Sequence, residues 1–333
     1  MRLLSGDIGG TKTWLQLADF DNGKLTVLAH QKYVSNAYNN AAIMVKEFLS
    51  ETGHQETHID GACFAVAGPI MQGRVQLTNL PWDVDEVAVA EELGIRCVTL
   101  INDFQAIGYG TDALAEKDLY TLQAGSPRPQ ATRALIGAGT GLGVALMSND
   151  GEKYTVMPTE GGHVDFGPTN DIQMELLAYL RRKLHRVSVE RVLSGQGLIN
   201  IYKFICDNPL YGEIESRKLQ FAMHKEDPAA AISRFAIEEK DPLACRALDI
   251  FIDLYGAQAG NLALMSLPYG GIYIVGGIAP KILSQLNDGR FMKAYGDKGR
   301  MSRMLDNFPI HIVLDTKIGL KGAALYAARA CAQ

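Results

Sequence analysis

The sequence has few cysteines, and none is spaced as in a metal site. Its five cysteines are scattered singly along 333 residues, at Cys63, Cys97, Cys206, Cys245 and Cys331. Without a CxxC pair or a Cys/His cluster, neither a zinc site nor a disulfide framework is expected. This cysteine usage fits a reducing cytoplasm.

The sequence also lacks a long apolar run and an excess of positive charge. No stretch approaches the roughly 20 apolar residues of a membrane-spanning helix, and the start of the chain is too short in its apolar part for a signal peptide. The net charge of -5 and pI near 5.8 give no electrostatic reason to expect nucleic acid or an anionic membrane as partner. The composition, 47% hydrophobic and 21% charged, is that of a globular protein large enough for two domains.

Strand-like and helix-like stretches alternate along the chain, which predicts an α/β fold. Apolar spacing predicts helices over 41–52, 85–93 and 170–184, and Asp241-Pro242 marks the start of a long helix. Runs typical of strands include 59–67, 97–103, 271–275 and 310–314.

Two strand–turn–strand hairpins carry glycine-rich turns, one in each half of the chain. The first contains Gly6-Asp7-Ile8-Gly9-Gly10-Thr11, and the second contains Gly139-Thr140-Gly141. Glycine permits positive φ and lets backbone N–H groups approach an anion. Neither turn has the spacing of a Walker loop or of a GxGxxG dinucleotide site. Each could be a plain tight hairpin, but two such turns could grip one polyphosphate from both sides.

An Asn-Asp pair ends one of the predicted buried strands. Asn102 and Asp103 follow the strand beginning near Val98, and a helical pattern starts at once. Ligands of parallel α/β sheets bind at the carboxyl ends of strands, and a helix N-terminus there would favour an ionised carboxylate. Asp103 is therefore a candidate general base. The alternative is that Asn102 or Asp103 only caps the helix.

Further polar residues lie in glycine-flanked loops. Glu160, His163 and Asp165 fall within one short loop, a density suited to hydrogen bonding with a polyol. A structural histidine is the competing interpretation, and Glu190 on charge alone is more simply a solvated or paired side chain. Gly276-Gly277 follows a strand, where it could admit a planar ligand or form a tight turn.

Taken together and in order, these motifs resemble those of the bacterial glucokinase family, within the hexokinase–actin–Hsp70 superfamily. The similarity runs nearly end to end through 6–11, 100–104, 137–143, 160–166, 190–195 and 276–278. The cysteine-rich zinc motif of the related repressor and kinase group is absent, so the zinc-free branch fits best. The chain also begins directly with its first strand, so no DNA-binding domain is expected.

The resemblance implies a two-domain ribonuclease H-like (actin-like ATPase) fold with an active-site cleft between the domains. The small domain is expected over 1–104 plus 316–333 and the large domain over 105–315. The two domains would close on the sugar and exclude water. The family likeness also suggests a homodimer in the cytoplasm.

The resemblance further implies that ATP with Mg²⁺ phosphorylates the 6-hydroxyl of glucose, the first step of glycolysis. Asp103 would be the catalytic base, and Asp7 would orient Mg²⁺ through water. The other expected roles are sugar binding by Asn102, Glu160, His163 and Glu190; phosphate binding by Gly6, Asp7, Ile8, Gly9, Gly10, Thr11, Gly139, Thr140 and Gly141; and adenosine binding by Gly276 and Gly277.

Three other functions remain open at this point. One is a superfamily kinase for another hexose, and another is a sugar-binding regulator without turnover. The third is an actin-like or chaperone ATPase, in which the loop from Glu160 to His163 would have no evident use. No role is predicted for residues 207–239.

Overall fold

The computed structural model describes residues 1–68, 70–77, 80–208 and 215–332, and the chain divides into two compact units. The first unit contains Met1–Asp118, Tyr154–Pro158 and Asp315–Gln333; the second contains Leu119–Lys153 and Thr159–Leu314. The sequence-based division ended the first segment at residue 104. The structure groups 105–118 with the first unit because the helix Asp103–Gly110 packs within that unit.

The first unit is built on a five-stranded sheet of order β3-β2-β1-β4-β7. Its elements are β1 Arg2–Ile8, β2 Lys12–Asp21, β3 Lys24–Val34, α1 Ala41–Glu51, β4 Gly61–Val66, β5 Arg74–Gln76, β6 Asp83–Asp85, α2 Glu86–Leu93, β7 Val98–Asn102, α3 Asp103–Gly110 and α12 Ile318–Ala330. β1 pairs in parallel with β4, and β4 with β7. The carboxyl ends of these three strands therefore lie at one edge of the sheet.

The second unit contains a sheet in which β10, β9, β12, β13 and β8 are neighbours in that order. Its elements are β8 Leu119–Gln123, β9 Arg133–Ala138, β10 Leu142–Asn149, α4 Asp171–Leu184, α5 Gly195–Asp207, α6 Arg217–Lys225, α7 Pro228–Arg234, α8 Pro242–Ser266, β12 Ile272–Val275, α9 Leu283–Leu286, α10 Arg290–Gly296, α11 Ser302–Leu305 and β13 Ile310–Val313. The strand after β10 in the chain, β11 Tyr154–Thr159, is assigned to the first unit except for Thr159. β12 is parallel to both β9 and β13.

Each unit has its own apolar core, as separate domains require. The long helix α8 buries much of its length in the second core, including Phe251 and Tyr255. In the first unit the small residues of α12 allow close packing. A side chain at Gly322 would collide with the carbonyl of Ala106 in α3, so this helix pair needs glycine there.

Most elements confirm the α/β prediction and its bounds. The helix predicted over 85–93 is α2, which Asp85 caps and which ends at Gly94 with a φ of 66°. The segment opening with Ala279-Pro280 begins with a 3₁₀ turn, Ala279–Ile282, and continues as the short helix α9. Residues 209–214, within the charged region that had no predicted role, lie outside the described residues. No helix in the described part of the chain is long and apolar enough to cross a bilayer.

Cys97 and Cys331 form a disulfide in the first unit. Cys97 directly precedes β7, Cys331 is the C-cap of α12, and their Cα atoms are 5.7 Å apart. The expectation of singly scattered, unpaired cysteines is therefore wrong for this pair. The two residues are 234 positions apart, so no local spacing pattern could indicate the bond.

Candidate active site

The first glycine turn connects β1 to β2 and is held by Ser35. The N–H of Gly9 donates to the carbonyl of Lys12 at 3.1 Å, which closes the turn. The Ser35 hydroxyl donates to the carbonyl of Gly9 at 2.7 Å, and the Ser35 N–H donates to the carbonyl of Thr11 at 3.0 Å. Thr11 is exposed at the tip. Its backbone and hydroxyl are therefore available to an anion.

Asp7 lies near the end of β1, beside this turn, and is largely shielded from water. Burial, and to a smaller extent the negative charge of Asp103, raise the pKa of the Asp7 carboxyl to about 6. The start of α12 approaches the same carboxylate, since a Cβ on Gly319 would lie 3.6 Å from Asp7 Oδ2. The repulsion between Asp7 and Asp103 marks a place where a bound cation would be favoured.

Asn102 and Asp103 lie where β7 ends and α3 begins, as the sequence predicts. The Asn102 side-chain oxygen accepts from the N–H of Phe104 at 2.9 Å and of Gln105 at 3.4 Å. Asn102 is therefore the N-cap, as one of the two interpretations proposed. Asp103 is the first residue of α3, where the helix dipole favours its ionised form. The negative charge of Asp103 contributes to the raised pKa of Asp7, so the two carboxylates interact electrostatically.

The second glycine turn connects β9 to β10 and is held differently. Its internal bond runs from the N–H of Gly139 to the carbonyl of Gly141 at 2.8 Å. The carbonyl of Gly139 accepts from the N–H of Gly195, also at 2.8 Å. One carboxylate oxygen of Glu190 accepts from the N–H of Leu142 at 2.9 Å. Thus the segment 190–195 holds both ends of the turn.

Two glycines of these turns, Gly9 and Gly141, are needed for space rather than for unusual backbone angles. Gly9, Gly139 and Gly141 are not among the residues with positive φ, contrary to the expectation from their sequence pattern. A Cβ on Gly9 would lie 2.9 Å from the carbonyl oxygen of Lys12. A Cβ on Gly141 would lie 2.6 Å from Glu190 Oε2. Side chains at these positions would force the neighbouring polar groups out of place.

The loop with Glu160 and His163 presents both side chains to solvent. The relative exposures of their side chains are 77% and 58%, and Glu160 Oε2 lies 3.8 Å from His163 Nε2. Arg186 supports this loop by donating to the carbonyl of His163 and by pairing with Asp165, each at 2.7 Å. Asp165 thus serves to fix the loop, while Glu160 and His163 are free to meet a ligand.

Glu190 reaches the same region from a neighbouring segment. The N–H of Val189 donates to the carbonyl of Val164 at 2.9 Å, and Asp165 and Ser188 form an isolated bridge. These backbone bonds bring the loop of His163 beside the segment of Glu190. The structure therefore gathers within the second unit three motifs that are well separated in sequence.

Gly276 and Gly277 follow β12, which lies beside β9 in the sheet. Gly276 has a φ of 89°, and a Cβ there would lie 2.7 Å from the carbonyl oxygen of Ala138. Apart from its two chain neighbours, no described residue has an atom within 4 Å of a Cβ built on Gly277. Gly276 is thus required by its backbone, whereas Gly277 leaves open space that a flat ligand could use.

The residues present fit a magnesium ion held mainly by a nucleotide. Within the described residues, no group of three or more His, Cys, Asp or Glu side chains could hold a metal by itself. Mg²⁺ is usually bound by one or two carboxylates together with phosphate oxygens and waters. Asp7 supplies such a carboxylate, and both its burial and the nearby charge of Asp103 raise its pKa.

Comparison with known proteins identifies the family. A model of the family described as Glucokinase matches residues 4–330. The chain belongs to the glucokinase family. It is 46% identical to a glucokinase of Nostoc sp. over 339 aligned residues, covering 98% of this chain and 99% of the relative. This membership confirms the family that the sequence motifs indicated.

Solved glucokinase structures share the fold. The crystal structure of a glucokinase from an Antarctic psychrotroph is 30% identical, with a TM-score of 0.84 over 98% of this chain and 99% of that one. A glucokinase of the ROK family from Streptomyces griseus, solved with glucose and AMPPNP, is 19% identical. Its TM-score is 0.65, over 99% and 100% of the two chains. The predicted α/β kinase fold is therefore confirmed.

Sequence reasoning missed several residues that support the site. Ser35 holds the first turn, Gly319 makes room beside Asp7, and Arg186 fixes the loop of His163. It also missed the bond between Glu190 and the N–H of Leu142, 48 positions away. Only Gly319 gave a signal, as one of the small residues of the last helix. The ligand roles expected for the other site residues stay predictions.

Proposed function

We propose that this protein transfers the γ-phosphoryl group of ATP to the 6-hydroxyl of glucose, giving glucose 6-phosphate and ADP. Membership of the glucokinase family supports this activity. The single observation that carries the chemistry is the position of Asp103. It is the first residue of a helix at the carboxyl end of a central strand, electrostatically coupled to Asp7.

In this proposal Asp103 is the general base. It accepts the proton of the 6-hydroxyl while that oxygen bonds to the γ-phosphorus and the bond to the leaving ADP oxygen breaks. Phosphoryl transfer depends mainly on positioning and charge stabilisation. Asp103 is the first residue of α3, behind the Asn102 cap, and the helix dipole at this position favours a negative charge.

The two glycine turns bind the phosphates in this proposal. This role is supported by the polar backbone at Gly9–Thr11 and Gly139–Gly141 and by the exposed hydroxyls of Thr11 and Thr140. Asp7 orients Mg²⁺ through water, and the ion, when bound, would neutralise charge on the phosphates. The open space at Gly277, with Gly276 beside it, receives the adenosine.

Sugar hydroxyls are bound by Asn102, Glu160, His163 and Glu190. The cap uses the oxygen of Asn102, which leaves its amide nitrogen to donate to a hydroxyl. Glu160 and His163 are exposed and held near each other, as a ligand-binding pair would be. A buried polar group left unpaired costs roughly 1–3 kcal/mol, so these contacts can discriminate between sugar epimers.

The cellular setting belongs to the same proposal. We expect a cytoplasmic homodimer that acts in the first step of glycolysis, with glucose and ATP as its small-molecule partners. In a reducing compartment, cellular thiols such as glutathione would reduce the Cys97–Cys331 disulfide to two thiols and would themselves be oxidised to a disulfide.

Glucose-dependent release of ADP tests the activity directly. The purified protein with Mg²⁺ and ATP should release ADP when glucose is added and release little without sugar. Parallel reactions with mannose, fructose and N-acetylglucosamine identify another hexose kinase if one of them is the better substrate. Glucose binding without ADP release would support a regulator, and sugar-independent release would support an ATPase.

A further inference from the structure

Glu190 contacts the second glycine turn directly. Its Oε2 accepts a hydrogen bond from the N–H of Leu142, the first residue after the turn, at 2.9 Å. A Cβ built on Gly141 would lie only 2.6 Å from the same oxygen. The absence of a side chain at Gly141 therefore lets the carboxylate reach the backbone.

The segment that begins with Glu190 grips the other end of the turn as well. The N–H of Gly195 donates to the carbonyl of Gly139 at 2.8 Å. Ser194 links these two contacts, because its hydroxyl donates to the carbonyl of Glu190 at 2.7 Å and accepts from the N–H of Gly197 at 3.0 Å. The start of α5 and the turn thus form one bonded unit.

The loop proposed to bind sugar packs against Leu142, the residue whose N–H is bonded by Glu190. A side chain at Gly162, between Glu160 and His163, would collide with the carbonyl oxygen of Leu142. The N–H of Leu142 is therefore bonded by Glu190 while its carbonyl is covered by the sugar loop. Movement on the sugar side would be transmitted to the phosphate turn through Leu142.

We propose that Glu190 is a positioning residue for the phosphate-binding turn and that it couples the sugar site to the nucleotide site. This inference rests on the proposed function. One carboxylate oxygen holds Leu142, and the other is available to a sugar hydroxyl. Because coupling between two ligands is reciprocal, glucose should increase nucleotide affinity by the same factor as the nucleotide increases glucose affinity.

The decisive measurement is nucleotide binding without sugar. Calorimetric titration of sugar-free protein with Mg²⁺ and AMPPNP should show about tenfold weaker binding for Glu190→Ala, since a hydrogen bond to a charged acceptor is lost. Glu190→Gln retains an acceptor oxygen for Leu142. It should bind the nucleotide within about twofold of wild type while binding glucose more weakly.

Glu160→Ala is the matched control. It removes a carboxylate proposed to bind sugar whose side chain is exposed beside His163 rather than bonded to Leu142. It should therefore weaken glucose binding and leave sugar-free nucleotide binding unchanged. If Glu190→Ala behaves like this control, Glu190 is only a sugar ligand and the inference fails.

One further variant and an assay of the wild type distinguish failure of this inference from misfolding and from failure of the proposed function. If Glu190→Ala does not fold, Glu190→Asp replaces it, because its shorter side chain retains the charge but cannot reach Leu142. Wild-type-like nucleotide binding by that variant would overturn the inference. Failure of the proposed function would instead appear as wild-type protein without glucose-dependent ADP release.

Discussion

The two glycine turns have similar sequences but are held by chemically different groups. In the first, an uncharged hydroxyl from Ser35 bonds to the backbone of Gly9. In the second, the carboxylate of Glu190 bonds to the backbone of Leu142. The first support is a buried residue without a ligand role, whereas the second belongs to the proposed sugar site. Under the proposed coupling, sugar binding would therefore affect the second turn and not the first.

The largest expected effect comes from a residue that belongs to neither turn. Asp103→Asn should reduce turnover by on the order of 10²-fold or more, because the base is lost. Both turns remain intact, so nucleotide affinity should stay within a few-fold of wild type. Steady-state kinetics and nucleotide titration provide the two readouts.

A suitable control is Asp85→Asn, which replaces one good N-cap by another at the start of α2. It should retain both folding and turnover. Near-normal turnover of Asp103→Asn would mean that the base is misassigned.

A second comparison concerns the two units that carry the turns. The Cys97–Cys331 disulfide lies in the first unit, while Cys206 and Cys245 of the second are free. Dithiothreitol should lower the thermal midpoint of the wild-type protein, and Cys331→Ser should show the lower midpoint without reductant. A loss of about 2–4 kcal/mol is expected, since the disulfide restricts the unfolded chain.

Cys245→Ser should retain the wild-type response to dithiothreitol. If wild-type stability is the same with and without reductant, the disulfide makes no contribution to folding.

The first turn can be weakened independently of the sugar site. Ser35→Ala removes the bond to Gly9 and the contact between the Ser35 and Thr13 hydroxyls at 3.0 Å. Nucleotide affinity should fall by roughly three- to tenfold, with glucose affinity unchanged. Separate titrations with AMPPNP and glucose measure this difference.

Ser266→Ala is matched to this change because its hydroxyl also donates to a carbonyl at 2.7 Å, at the end of α8. It should change neither affinity. Equal losses of glucose and nucleotide affinity in Ser35→Ala would contradict the proposed distinction between the turns.

The last prediction concerns the carboxylate of Asp7 beside the first turn. The pKa of Asp7 is raised from 3.8 to about 6, so the unfolded chain releases this proton at lower pH than the native protein. The contribution of Asp7 to stability is therefore present below about pH 4 and is lost as pH rises through about 6.

Asp7→Asn should consequently be more stable than wild type at pH 7–8, by about 3 kcal/mol for a shift from 3.8 to about 6. Its use of Mg²⁺ with ATP should be impaired. Denaturant unfolding at pH 4 and pH 8 measures the difference, which should disappear at the lower pH. Asp103→Asn should shift this pH dependence downward, because it removes a neighbouring negative charge. Equal stability of Asp7→Asn and wild type at pH 8 would show that ionising Asp7 does not destabilise the native protein.

The sequence predicted the features that depend on neighbouring residues. Apolar runs predicted the strands, and apolar residues at helical spacing predicted helices such as α2 and α4. The position of Asn102 and Asp103 followed from the same local pattern. These features depend on backbone propensities that act over a few residues.

Contacts between distant segments were not predictable in this way. The bond from Leu142 to Glu190 and the disulfide from Cys97 to Cys331 form only after the fold brings distant segments together. Gly141 was correctly placed in a turn, but it does not have the positive φ that glycine permits. Its role is to leave space for a carboxylate, a requirement that depends on tertiary structure.

A structure of the protein with glucose bound tests the central claim most directly. The account predicts a carboxylate oxygen of Asp103 about 2.6–3.2 Å from the 6-hydroxyl oxygen of the sugar, within reach for proton transfer. If that carboxylate pointed away from every hydroxyl of the bound sugar, the assignment of Asp103 as the base would be contradicted.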